Sequence, residues 1–140
     1  MIYGDLLFSL FINLQSFFKK NIKIPDLSFQ QIIALLIVPE EGIEMSELSN
    51  KLGIDNSTAT RLVSGLINKN LIIKSKSKND NRVRIVQLSQ QGYEIQLRVE
   101  LKIENLGKKF DYLIDASSHQ EVMEFISSMN WELIKSSIKK

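Results

Sequence analysis

Apolar positions near the start of the chain recur at three- and four-residue steps: Leu6, Leu7, Leu10, Phe11, Leu14, Phe17 and Phe18. That spacing predicts a helix over 5–20 with a wide, aromatic apolar face. A second helix is expected over Leu27–Val38, with Ser28 and Gln31 as a capping box and Pro39 and Gly42 ending it. Ser46–Leu52 reads as a third helix that Gly53 stops. A fourth follows, capped by Asp55 or Asn56 and running to about Asn70. Ile72–Ser77 and Val83–Leu88 read as strands around the turn formers 78–82, and 89–92 break the pattern.

Tyr93–Ile103 supports two readings. Tyr93, Ile95, Leu97, Val99, Leu101 and Ile103 alternate with polar residues, as in a strand. Ile95, Val99, Ile103, Leu106 and Phe110 also form a helical stripe. The stripe outlasts any ordinary strand, so a long helix is expected. A last helix over Ser118–Ile138 carries Val122, Phe125, Ile126, Met129 and Leu133 on its apolar face.

The third and fourth helices have the spacing of a helix-turn-helix. Counted from Met45, positions 4, 8, 10, 15 and 18 must be apolar where two steeply crossing helices meet. They are Leu48, Leu52, Ile54, Ala59 and Leu62. Position 5 must be small and is Ser49. Position 9 favours glycine, because the turn takes a positive φ, and is Gly53. The second of these helices then presents Asn56, Ser57, Thr58, Thr60 and Arg61, which suit phosphate and base-edge contacts. Lys69, at its far end, suits the C-terminal dipole.

Charge sharpens this picture. The chain of 140 residues has a formal net charge of +2, but Lys69–Arg84 alone holds six Lys and Arg against one Asp. Concentrated positive charge beside a helix-turn-helix points to a polyanion. The alternative is a solvated hairpin whose lysines discourage edge pairing. Alternation places Lys74, Lys76 and Lys78 on one strand face and Ile73 on the other. Lys76, Lys78, Arg82 and Arg84 are candidate DNA contacts, with Arg82 suited to a minor groove. Asp80 either orients Arg82 or closes an Asx turn.

Composition excludes several classes of function. With no cysteine there is no disulfide scaffold, zinc-thiolate site or thiol sensor, and one histidine is a poor basis for a metal site. No metal, cofactor or catalytic residue is therefore expected. Leu6–Leu14 is too short to span a bilayer, and Asp5 rather than a basic residue precedes it, so a cytoplasmic protein without a membrane partner is expected. Asp115, Ser117, Ser118 and His119 contain the residue types of a hydrolase triad. Adjacent residues cannot converge on one nucleophile, and both serines read as capping boxes with Gln120 and Glu121.

Three segments in order resemble the MarR-like (multiple antibiotic resistance regulator) winged-helix transcription factors. LSFQQIIAL resembles that family's second helix, MSELSNKLGIDNSTATRLVSGLINKNLI its helix-turn-helix, and KSKNDNRVRIVQLSQQG its wing. The likeness is strong over 27–96. The family's wing tip reads Asp-Arg-Arg; here it is Asp80-Asn81-Arg82, so Arg82 inherits the minor-groove role. Asn70 replaces a usual glycine after the recognition helix and tolerates the same left-handed conformation. Ser89 replaces a threonine.

The resemblance implies a mainly α fold: a winged helix-turn-helix with a two-stranded β wing and flanking helices that form a dimerisation platform. It implies one domain over 1–140, with 27–92 as the DNA-binding lobe and 1–26 and 93–140 as dimerisation helices. The partners implied are a second copy and double-stranded DNA carrying a pseudo-palindrome with half-sites about 10 bp apart. The function implied is transcriptional regulation, as a repressor. Family members bind small aromatic effectors, and Phe11, Gln15, Ile33, Ile37 and Tyr93 are the candidates to line such a pocket. The competing reading is a winged helix that contacts proteins and has no operator.

Overall fold

The structure, a computed structural model, describes residues 2–138. Met1, Lys139 and Lys140 of the expected domain lie outside the described residues. In chain order the elements are α1 (Ile2–Asn21), α2 (Phe29–Ile37), β1 (Ile43–Glu44), α3 (Met45–Leu52), α4 (Asn56–Asn68), β2 (Ile72–Lys76), β3 (Arg84–Leu88), α5 (Gln90–Leu113) and α6 (His119–Ile138). A single 3₁₀ turn, Ala116–Ser118, precedes α6. Residues up to Ile103 form one compact unit and those from Glu104 onward a second.

Local signals explain most boundaries. Ser28 Oγ accepts from the Gln31 amide at 3.1 Å, while the Ser28 amide donates to Gln31 Oε1 at 3.0 Å, closing the expected capping box. Gly53 takes φ 68° and its amide donates to Asn50 O, ending α3. Asn70 takes φ 62° after α4, as its place at the end of that helix, where the resemblance has glycine, implies. At the start of α6 neither capping box forms as expected; Ser117 Oγ instead donates to Asp115 Oδ2 at 2.9 Å.

The core sits where α2, α3, α4 and the sheet meet. Leu35, Leu48, Val63, Leu66 and Val86 exclude water almost completely, with Ile43 and Ile72 beside them. Of the five apolar helix-turn-helix positions, Leu48 and Ala59 are fully buried, Leu52 and Leu62 pack on the core edge, and Ile54 is half-buried. Ser49 is buried, as its crossing position requires.

Three features differ from expectation. First, the wing belongs to a three-stranded sheet of order β1-β3-β2, all antiparallel. Strand β1 has only two residues, Ile43 and Glu44, opposite Val86 and Ile85, too short to leave a periodic signal. Second, β2 leaves the core after Ile72, so Ile73 is exposed along with the lysines. Third, 89–92 do not break the chain but start α5. Ser89 Oγ accepts from the Gly92 amide at 3.0 Å and donates to Asn70 O at 2.6 Å. The Ser89 amide donates to Leu71 O. Gly92 is required by this crossing, since a Cβ there would lie 2.0 Å from Leu71 O.

Gln96 fastens α5 to α2. Its buried amide nitrogen donates to Leu35 O at 2.8 Å and Val38 O at 3.0 Å, occupying carbonyls at the C-terminal end of α2. The sequence offered no sign of this, because a lone glutamine among apolar positions looks like a solvated face.

We expect Gly92→Ala to lower stability toward the upper end of the about 1–3 kcal/mol typical of overpacking, because the colliding atom is backbone. Urea denaturation measures the loss. A midpoint equal to wild type would show that α5 can move off Leu71 freely.

Candidate nucleic-acid interface

The exposed start of α4 is held by a dense set of hydrogen bonds. Asp55 is the N-cap: its Oδ1 accepts from the Thr58 amide at 2.7 Å and from Ser57 Oγ at 2.9 Å. Thr60 Oγ1 donates back to Asn56 O at 2.8 Å. Ser57 and Thr60 therefore use their protons locally and offer outward only lone pairs. One of the amides that a helix N-terminus would give to phosphate is already bonded to Asp55. Thr58 is half-buried, whereas Arg61 is exposed and the cation best placed on α4 to meet a phosphate.

Asn56 is anchored to α3. Ser49 Oγ lies 2.7 Å from the Asn56 side-chain oxygen and 2.8 Å from Ser46 O. One hydroxyl has one proton and cannot donate fully to both. Turning the Asn56 amide over resolves the conflict: Nδ2 donates to Ser49 Oγ, which donates to Ser46 O. The Asn56 oxygen is then an acceptor not engaged by Ser49.

The wing tip is ordered by its own charges. Arg82 Nε lies 3.2 Å from Asp80 Oδ1, and the Arg82 amide donates to the same oxygen at 3.0 Å. One carboxylate thus both closes an Asx turn and pairs with the guanidinium. Arg82, bonded first through its guanidinium and then through its backbone amide, holds the Asp80 carboxyl below its usual value. The Arg82 side chain is nonetheless 90% exposed. Arg84 is half-buried and donates to Asn81 O at 2.7 Å, so it stiffens the tip. Lys76 and Lys78 are exposed.

A recess of about 290 Å³ joins these parts, lined by Met45, Ser46, Asn56, Arg82, Val83 and Arg84. It brings Asn56 together with Arg82 and Arg84, and it adds Ser46, which pattern reading had used only as a helix start. The aromatic-effector candidates are differently placed. Phe11 and Tyr93 are exposed, Gln15, Ile33 and Ile37 are half-buried, and neither this recess nor a second one near α2 is lined by any of them. Lys69 does more than serve a helix dipole: its ammonium donates to the carbonyl of Asp26. His119 Nε2 lies 2.9 Å from Ile114 O and 3.1 Å from Asp111 O, so it meets the carbonyls ending α5.

Residues 16–98 match the family model described as transcriptional regulator SarA/Rot. This chain belongs to the SarA/Rot family of transcriptional regulators. The SarA/Rot match takes in α2 through the first part of α5, which is the whole winged helix-turn-helix. The fold is also that of Streptococcus pneumoniae FabT in complex with DNA, at a TM-score of 0.78 and 18% identity over 95% of this chain and 96% of that one. A mutant MarR from E. coli complexed with operator DNA superposes at 0.75, with 18% identity over 92% of this chain and 94% of that one. An uncharacterized HTH-type transcriptional regulator of Bacillus subtilis, YdgJ, is 33% identical over 64 residues. That match spans 46% of this chain and only 38% of the Bacillus protein. Among the described residues, no helix is long and apolar enough to cross a membrane.

The cap bonds on Asp55, from Thr58 first and then Ser57, with the Arg61 charge adding, lower its carboxyl from 3.8 to about 2. Because the folded value lies below the unfolded one, its stabilisation is complete above pH 3.8 and is lost as pH falls through about 2. We expect the urea midpoint of the wild type to fall across that window. Asn still caps the helix, so Asp55→Asn should fold and lose that part of the acid slope. An unchanged slope would remove Asp55 from the account.

Proposed function

We propose that this regulator is a dimer that reads double-stranded DNA, with α4 in the major groove and the wing on the flanking minor groove. The observation that carries the reading is the recess joining Asn56 on α4 to Arg82 and Arg84 in the wing. It puts Arg82 and Arg84, two of the cations of the basic block Lys69–Arg84, beside the start of α4. Arg61 and Arg82 bear on phosphate and groove, Lys76 and Lys78 add charge along the wing, and Asn56 presents an acceptor to base edges. Ser57, Thr58 and Thr60 act through the cap that aims α4, and Asp80 aims Arg82.

The dimer is supported by apolar side chains that a single chain leaves in water. Phe8 on α1 is 66% exposed, and Phe125 and Trp131 on α6 are 63% and 57% exposed. Leu6, Leu10, Leu113 and Leu133 are exposed as well, more apolar surface than a monomer ordinarily shows. On this reading 27–92 are the DNA-binding lobe, and 1–26 and 93–140 form the dimer. Repression follows from occupancy alone, which needs no contact beyond the operator.

The test is fluorescence-anisotropy binding to the DNA upstream of this chain's own gene, across a salt series, beside a scrambled duplex. We expect selective binding with a log–log salt slope of about −0.9 per phosphate contact. Arg82→Ala and Arg61→Ala should each weaken it by about 1–3 kcal/mol and leave the dimer mass unchanged. No affinity for either duplex at low salt would overturn the reading in favour of a protein-contacting winged helix.

A further inference from the structure

Strand β2 is an edge of the sheet: among the described residues its one neighbour is β3. The ladder tells which of its residues face that neighbour. The Ser89 amide donates to Leu71 O, and the Ser77 amide donates to Val83 O. Both pairs continue the β2–β3 register, which sets Ile73 opposite Gln87 and Ser75 opposite Ile85. Hydrogen-bonded pairs alternate along an antiparallel ladder, so Ile73 and Ser75 bond to β3 as well. Ile72, Lys74 and Lys76 then turn their amides and carbonyls away from it. Among the described residues, no hydrogen bond meets those groups on Lys74 and Lys76, and neither lysine has an ion-pair partner. Both side chains are exposed on one face of the strand, and Ile73 is 53% exposed on the other.

Lysine on an edge strand discourages pairing, but which pairing depends on the charge of the incoming strand. Full antiparallel pairing of β2 with its own copy would set Lys74 opposite Lys74, and like charges directly opposite repel. Lys69–Arg84 holds six Lys and Arg against one Asp, so an acidic strand is attracted where a basic one is refused. DNA could use only part of this edge. Its phosphates suit the ammonium groups, but they are repelled by the outward carbonyls and gain nothing from Ile73. An extended acidic peptide matches all of it. Its main chain meets the free amides and carbonyls, its carboxylates meet the lysines, and an apolar side chain covers Ile73.

We propose that the free edge of β2 takes an extended acidic segment of another protein as a fourth, antiparallel strand. Two acidic residues, spaced two apart, lie opposite Lys76 and Lys74, and the apolar residue after the second packs on Ile73. The surface does not rest on the DNA-reading function proposed above.

The test titrates the full chain, without DNA, with the acetylated and amidated peptide Ser-Glu-Thr-Glu-Val-Thr, following backbone amide NMR shifts. Saturable shifts centred on 72–76 are expected. Two further peptides separate main-chain pairing from charge. N-methylation of both glutamates keeps their charge and removes the two amides that face β2, and it should weaken binding roughly tenfold. Exchange of both glutamates for glutamine keeps those amides and should weaken binding roughly fivefold, as loss of two exposed ion pairs implies. An N-methylated peptide that binds as well as the parent would mean attraction by charge alone, which any polyanion shares, and would overturn the added strand. A glutamine peptide that binds as well as the parent, shifts centred elsewhere, or no saturation by about 10 mM would each overturn it too. DNA is absent from every arm, so failure of the DNA-reading function leaves these outcomes unchanged.

Discussion

Leu35, Leu48, Val63 and Val86 come from four different elements, and each is shielded from water almost completely by the other three and their neighbours. Interiors are close-packed, so none of the four elements can shift without opening a void. The polar groups of the candidate interface are carried by elements that this cluster holds together. Val63 sets the roll of α4, and so decides that Asn56 and Arg61 face outward. Val86 sets the register of β3, and so decides where the tip bearing Arg82 emerges. The chemistry of the surface is local, but its geometry comes from the core beneath it.

Around that core, polar side chains are used mostly as fasteners. Asp55 occupies an amide of α4, Ser49 anchors Asn56, Ser89 joins the chain after α4 to α5, and Gln96 closes the end of α2. These bonds draw on groups that a free helix end would offer to a ligand. The start of α4 is thus rigid at the cost of donors. Its serine and threonine hydroxyls are acceptors outward, which phosphate does not want. On the proposed reading, arginine supplies the attraction to the DNA backbone, and the short polar residues supply shape.

The helical framework was legible because it rests on periodicity and on residues with one conformational use. Gly53 and Asn70 had to be left-handed, and Ser28 with Gln31 had to cap. What stayed hidden was whatever depends on two distant segments meeting. Two-residue β1 exists only because β3 passes beside it. Gly92 looked like a breaker, since its reason is the carbonyl of Leu71, twenty-one positions back. Gln96 and Lys69 each serve carbonyls far away in sequence, which no local pattern records. The same limit applied to the candidate interface: the residue types were readable, but not that Arg84 is tied to Asn81 while Arg82 remains outward.

The exposed apolar residues follow a different rule from the core. On α2 the buried Ile32, Ala34 and Leu35 fall within one broad side of the helix, and Ala34 and Leu35 join the main core. On α1 apolar side chains run nearly all round the helix from Ile2 to Leu14, and none is buried. A helix apolar on every side is stable in water only when other surfaces cover it. In the proposed dimer, a second copy of the chain is that surface, and it fixes the separation of two recognition helices at the same time. Apolar burial that α1 lacks within one chain would then also set the spacing at which paired half-sites are read.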